Sequence, residues 1–351
     1  MKAQPAISRS IAAHMNLFRR AFVLCLLPGF LWCQHKFPKG QADTSATIIF
    51  AGDLNFAAHF EYAAQYRPIN VFARWKRIGT YDLMMVNLEN AVTQSVDNME
   101  KEFVFKMKPE YLSQLCNAGI SIVNCANNHA ADFGSEGILE TIQKLDSAGI
   151  RHTGIGRNLS EARKPVILLV NGIRIGFLGY GGDKAFIASR TQPGTTSRNP
   201  WLILEDIKKL KPRVDFVVVN LHWGEELETE PDSNQIVLAH RMIEDGADLI
   251  VGHHPHVLQG IERYCGKIIA YSLGNFVFGG NSRSANSETA VLKVRFMKDS
   301  MEIQAVPVSV RNWQPAPADK VAAHRVLQCL QERSQVFLET ISFTSLGVQH
   351  E

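Results

Sequence analysis

The sequence is poor in the features that staple small secreted folds or build zinc knuckles. Its six cysteines among 351 residues include no CxxC pair and no knuckle spacing, so neither a disulfide framework nor a zinc finger organises the chain. Cys116 and Cys125 could pair in an oxidising compartment, but single buried thiols are the commoner case, and structural thiols are expected. No internal repeat and no low-complexity tract interrupts the sequence. A basic excess is also missing from the folded part. The formal net charge is +3, yet Lys2, Arg9, Arg19 and Arg20, with no acid among residues 1–33, contribute +4, so the rest nets −1. Nucleic acid is therefore not an expected partner. With 46% hydrophobic and 20% charged residues, a disordered chain is excluded too.

Long apolar runs are equally scarce. The one candidate, Ala21 to Trp32, is broken by Pro28 and Gly29 and follows Arg19-Arg20. A positive region before about a dozen apolar residues is the pattern of a secretory signal, too short for a comfortable membrane span. Met15 offers an alternative start just upstream, and a buried N-terminal helix is the bland alternative. Cys33 ends the run as a candidate lipid-bearing residue, although Trp32 is bulky where a lipidation signal wants a small side chain. The expected organisation is a signal peptide or N-terminal membrane anchor over 1–33 and a linker over 34–45. A main domain over 46–312 and a C-terminal helical extension over 313–351 follow. Export to the periplasm or cell surface is the corresponding expectation.

From Thr47 onward short apolar runs alternate with longer helical stretches. Strands are expected over Thr47 to Ala51, Leu83 to Val86, Ile120 to Asn124, Ile173 to Leu178, Val214 to Asn220, Leu249 to Val251 and Lys267 to Ser272. Several are nearly continuous in Ile, Val, Leu and Phe, as strands covered on both faces must be. Helical patterns cover Pro109 to Ala118, Ser135 to Ser147 and Asn234 to Asp245, the last after the start signal Pro231-Asp232-Ser233. The alternation argues for a layered α/β fold. Near the end, Leu292, Val294 and Phe296 alternate with Lys293 and Arg295 before a turn at Lys298-Asp299-Ser300 and a strand over Glu302 to Val310. This hairpin makes the sheet mixed. A helix over Val321 to Leu338, with apolar Val321, Val326, Leu327 and Leu330, closes the pattern.

The chemistry lies at the strand ends, where an open α/β sheet puts its ligand site. The first strand ends in Gly52-Asp53-Leu54-Asn55; an Asp there is most often a helix cap. The second ends in Asn87-Leu88-Glu89-Asn90, with Glu89 between apolar neighbours, a costly place for a charge unless a cation or donor compensates it. The third ends in Asn124-Cys125-Ala126-Asn127-Asn128-His129-Ala130-Ala131-Asp132-Phe133-Gly134, dense in amides and able to ligate a cation, or else to cap the following helix. The strand ending at Asn220 leads to His222-Trp223-Gly224-Glu225-Glu226, where a lone histidine is as readily structural. Val251-Gly252-His253-His254-Pro255-His256 carries three histidines in four residues, and packing alone does not explain them. Together, these clusters describe a mixed nitrogen and oxygen shell able to hold two cations.

In this order and spacing the motifs resemble the CapA family, named for poly-γ-glutamate capsule synthesis and similar in fold to the calcineurin-like metallophosphoesterases. The resemblance rests on the five clusters together with Gly154-Ile155-Gly156 and Tyr271-Ser272-Leu273-Gly274-Asn275-Phe276, and covers about residues 46 to 280. It implies a single-domain, four-layer αββα metallophosphatase-like sandwich with mixed sheets and a binuclear site at one edge, holding two divalent ions of manganese, zinc or iron. By motif, Asp53 would bind the first metal and Glu89 would bridge both. Asn128, His222 and His254 would bind the second, His256 would return to the first, and His129 would donate a proton. Asn55, Asn87, Asp132, Glu225, Glu226, His253 and Asn275 would contact substrate or support the ligands, with Glu225 or Glu226 orienting His222. His253 could exchange roles with His254. Two departures stand out: Asn55 replaces the histidine that phosphoesterases keep after the first Asp, and Glu89 replaces a bridging Asp.

Two cations roughly 3.5 to 4 Å apart lower the pKa of a shared water and neutralise a developing oxyanion. The expected function is an exported metal-dependent hydrolase or transferase in biosynthesis, export or processing of an anionic cell-surface polymer of the poly-γ-glutamate type. Its partners would be the polymer or its precursor and membrane components of a polymer synthase. The alternative is a non-catalytic export or anchoring subunit that keeps a structural metal site. A plain phosphatase is disfavoured by Asn55.

Overall fold

The computed structural model describes residues 44–182, 184–280, 286–337, 342–344 and 347–349. The expected leader and nearly all of the expected linker lie outside them. No helix among the described residues is long and apolar enough to cross a membrane.

Period-two alternation in the apolar strands builds two sheets, each covered on both faces. The first runs in the order Gln314–Pro317, Ser300–Arg311, Asn286–Met297, Ala46–Asn55, Leu83–Leu88, Ile120–Asn124, Arg151–Thr153, with Asn275–Phe278 pairing beside the Asp53 end of Ala46–Asn55. The second runs Ile261–Tyr264, Lys267–Ala270, Leu249–His253, Phe216–His222, Ile173–Tyr180, Val166–Val170. Ile48, Phe50, Leu83 and Met85 of the first sheet and Ile175, Phe177, Val218 and Val251 of the second share one core between the sheets. The alternate residues Ile49, Met84 and Val86 face outward onto Leu115, Ile138, Ile142 and Leu145. On the far side Val217, Val219 and Ile250 pack on Ile203, Ile207, Met242 and Ile243. Helix, sheet, sheet, helix is the αββα sandwich expected.

All seven expected strands and all four expected helices form, most strands running one to four residues further toward the loops. Pro109–Tyr111 is a 3₁₀ turn feeding the short helix Leu112–Asn117. The helix Ser233–Glu244 starts with a capping box, in which Asp232 accepts from the Gln235 N–H and the Gln235 side chain accepts from the Asp232 N–H. The hairpin pairs Asn286–Met297 with Ser300–Arg311 and makes the first sheet mixed. Cys116 and Cys125 are free thiols.

The last helix differs from expectation at both ends. It runs Lys320–Ser334, with Val326, Leu327 and Leu330 buried in the inter-sheet core while Val321 is exposed. Its end is fixed at Ser334, which is buried because its hydroxyl donates to the Leu330 carbonyl and accepts from the Ile261 N–H.

The central strands of both sheets are parallel, so their C-terminal ends collect at one edge. Asp53 pairs with both Asn87 and Asn275, Asn87 with Asn124, and His222 with His253. Gly52 permits this crowding. A Cβ at that position would collide with the Gly274 carbonyl, to which the Asp53 N–H donates at 2.9 Å.

Because Leu330 is fully buried on the terminal helix, Leu330→Ala should destabilise the protein by about 2–5 kcal/mol in urea unfolding. A loss below about 0.5 kcal/mol, the range of surface changes, would mean that this helix is not part of the core.

Candidate metal centre

Asp53 and Glu89 are both fully buried, which rules out a surface role for either. Nor is Asp53 a helix cap: it sits inside its strand, and the next helix, His59–Tyr66, is preceded by Ala58 with no side-chain cap. The Asn87 amide donates to Asp53 Oδ1 at 2.8 Å and lies 3.2 Å from His222 Nδ1 and 3.5 Å from Glu89 Oε2. Its own carbonyl oxygen accepts from Asn124 at 3.0 Å and from Asn127 at 3.4 Å. The asparagine-rich turn therefore fixes Asn87 rather than capping the helix Gly134–Ala148, whose N-cap is Phe133 with no side-chain bond.

Three groups of side chains bring ligand atoms within 4.8 Å of one another: Glu89, His222 and His254; Asp53, Glu89 and His256; and, on the exposed side, Glu226, His254 and His256. The first two share Glu89. Its Oε1 is buried, accepts no hydrogen bond, and lies 3.7 Å from both His222 Nε2 and His256 Nε2. Asn128 Oδ1 stands 2.8 Å from His222 Nε2, adding an amide oxygen to the first group. His256 Nδ1 lies 3.3 Å from Asp53 Oδ2 and 2.9 Å from Asn275 Oδ1.

His253 and His254 separate clearly. His253 lies outside all three groups, 3.6 Å from Asp53 Oδ1, with neither ring nitrogen hydrogen-bonded. His254, turned by a positive φ of 100°, joins Glu89 and His222, and its ring centroid is 4.5 Å from that of His222. His256 also has a positive φ, 59°. Two non-glycine residues in this region, each costing about 1–3 kcal/mol, are backbone strain concentrated at a site.

The electrostatics follow from burial. Burial drives the Glu89 carboxyl well above the usual carboxylate range; His256 opposes this and Asp53 adds to it. For Asp53 burial also pushes upward, but the His256 and Asn87 contacts win and hold it low. Burial takes His222 well below the ordinary imidazole value and His253 and His254 to about 4, leaving neutral rings with available lone pairs. For His256 burial is outweighed by Glu89 and Asp53, which raise it to about 10. A buried carboxylate oxygen without a donor, beside the neutral imidazoles of His222 and His254 and the Asn128 amide oxygen, is a donor set that fits divalent cations.

The remaining expected residues sort by distance. Asn55 is buried and spent on the backbone: its amide donates to the Glu89 carbonyl at 3.0 Å, and its oxygen accepts from the Ala57 N–H at 2.7 Å. His129 Nδ1 is 2.7 Å from Asp132 Oδ2, which directs Nε2 away from that carboxylate. An orienting role for Glu225 or Glu226 on His222 is corrected by the structure. The His222 ring sits between Asn87 and Asn128, because the turn at Gly224 carries both exposed glutamates past it, and Glu226 instead reaches His254 and His256.

Two residues escaped the sequence reading. Lys101 donates to Asp132 Oδ1 and to the Asn128 carbonyl, both at 2.7 Å. Phe105 lays its ring 4.2 Å from that of His129 and donates its N–H to Asp132 Oδ2 at 2.7 Å. Both come from a long loop with no sustained pattern, and only Phe105 and Met107, two residues apart, mark an inward face, since Phe103 is exposed.

Comparison with known proteins finds relatives over most of the chain. Residues 47–280 match the family model described as bacterial capsule synthesis protein PGA_cap. The chain is 34% identical over 311 residues to the capsule biosynthesis protein CapA of Bacillus anthracis, covering 82% of this chain and 74% of that protein. It is 32% identical over 310 residues to the PGA biosynthesis protein CapA of Bacillus subtilis, covering 85% and 81%. A probable polyglutamine synthesis accessory protein of Mycobacterium tuberculosis is 29% identical over 215 residues, covering 56% and 55%.

Manganese or zinc added to chelator-treated protein should raise its melting temperature, with about 2.7 kcal/mol of added stability at a hundredfold excess over Kd. Glu89→Gln should abolish that response, and because a neutral amide replaces a carboxyl whose charged form burial disfavours, the metal-free variant should melt at or above metal-free wild type. A wild-type melt that neither metal moves would exclude the metal site.

Proposed function

Since the chain belongs to the bacterial capsule synthesis PGA_cap family, we propose that it is an exported, two-metal hydrolase or transferase acting on a cell-surface polymer of the poly-γ-glutamate type. The observation that carries the reading is Glu89 Oε1, buried, without a donor, and equidistant at 3.7 Å from His222 Nε2 and His256 Nε2. Such an oxygen has the surroundings of a bridging ligand. Asp53 and His256 would complete one position, and Asn128, His222 and His254 the other. The two ions would polarise the substrate carbonyl or phosphoryl oxygen and supply a nucleophile at neutral pH.

The protein's own share is positioning and proton transfer. Asp132 divides its carboxylate among Lys101, the Phe105 N–H and His129 Nδ1, so the imidazole is held in one orientation. With Nδ1 so engaged, Nε2 is the atom that would protonate a leaving amine or alkoxide. Asn87 holds the Asp53 carboxylate and Asn55 the Glu89 carbonyl, so both would position the ligand-bearing loops.

His129→Gln should lower kcat by about 10²–10⁴ on a γ-glutamyl oligomer or a phosphodiester while leaving metal content and KM close to wild type. His254→Ala with His256→Ala should lose the metal itself. Fully metallated protein that turns over neither substrate would replace the catalytic reading with a non-catalytic role in polymer export or anchoring.

A further inference from the structure

A cleft of about 440 Å³ adjoins the metal centre, lined in part by Arg198, Trp223, Glu225, Asp232, Gln235 and Arg241. The cleft is joined to the centre along the chain: His222 precedes Trp223, Glu226, grouped with His254 and His256, follows Glu225, and the Arg198 charge acts on His254. Two helices, Pro200–Leu210 and Ser233–Glu244, begin at this cleft. Helix N-termini favour anions, but here Asn199 and Asp232 already accept N–H groups of the first turns, so the helix ends alone make no site.

The side chains supply the rest. Arg198 and Arg241 are exposed, and among the described residues neither guanidinium is paired with a carboxylate, although Glu225 and Asp232 line the same cleft. Gln235, only 5% exposed, lies in the wall. Its Oε1 accepts from the Asp232 N–H at 3.0 Å, while its Nε2 is buried with no partner. A polyanion approaching this edge meets the acids Glu225 and Glu226, and outside residues 1–33 the chain nets −1, so no global field draws it in. Local fixed cations are what such a ligand requires.

We propose that this cleft is an anion subsite that holds a pendant carboxylate of the polymer, from a repeat next to the one at the metal centre, with Arg198 and Arg241 as its cations. It rests on the poly-γ-glutamate reading above. A guanidinium receives a carboxylate through two parallel N–H donors, so the subsite selects a planar acid and would read the α-carboxylates of a γ-linked chain.

The test titrates fluorescently labelled γ-linked deca-glutamate into the metal-loaded full-length protein and into an Arg198→Gln, Arg241→Gln double variant. An Arg198→Lys, Arg241→Lys variant and an oligomer with its α-carboxylates converted to amides serve as comparisons. The glutamine variant should bind the decamer roughly tenfold more weakly at unchanged metal content, with the lysine variant intermediate and the amidated oligomer indifferent to all three. Equal affinity of wild type and glutamine variant would overturn the subsite while leaving the polymer reading in place. Failure of the wild type to bind the decamer at low salt would overturn both.

Discussion

The Asn87 side chain joins the two sheets at the edge where charge collects. Its amide nitrogen reaches Asp53 on its own sheet and His222 on the other, and its oxygen is gripped by Asn124 and Asn127. Parallel strands in both sheets bring their carboxyl ends to this edge, and a buried network of amides is how such an edge stays ordered. Each amide must be satisfied, since a half-satisfied buried network is worse than an apolar one. The amides around Asn87 are satisfied. Among the buried atoms left without a partner, Glu89 Oε1 and His254 Nδ1 belong to the ligand groups, and the His253 ring lies beside Asp53.

Much of this arrangement was legible in the residues. Nearly continuous apolar strands dictated two-sided burial, and polar clusters at their ends dictated a shared edge, while the resemblance to the CapA family singled out Asp53, Glu89, Asn128, His222, His254 and His256 within those clusters. Spacing could not separate His253 from His254. That distinction depends on a backbone turn of φ 100° at His254, and adjacent histidines offer the sequence nothing to say which of them takes it. The supporting roles were harder still. Asn55 looked like a weakened ligand, yet it ties its own strand to the carbonyl of Glu89, a contact 34 residues away. Glu225 and Glu226 looked equivalent in sequence, and only the turn after Gly224 carries Glu226 to the histidines. Lys101 and Phe105 sit in a loop whose length hides any periodicity. Short strands such as Arg151–Thr153 and Asn275–Phe278 escaped because three or four residues carry too little pattern to stand out, although Asn275–Phe278 brings Asn275 to His256.

The strain and the charge at this edge have one source. A fold that turns His254 and His256 through positive φ and buries two carboxylates beside them gives up stability locally, and the apolar layers on either side make that tolerable. The same loop could relax only by withdrawing the imidazoles from Glu89 and Asp53, which would leave both carboxylates with fewer compensating partners. Backbone strain and carboxylate burial therefore constrain each other, and a cation held between them would relieve the second while keeping the first in place. His129 stands outside this balance. Asp132 is already compensated by Lys101 and by the Phe105 N–H, so the His129 ring is oriented by a carboxylate whose charge is met elsewhere. The group that would move a proton thus has its own support in Asp132, Lys101 and Phe105, and the two sites meet where Lys101 also donates to the carbonyl of Asn128, the chain neighbour of His129.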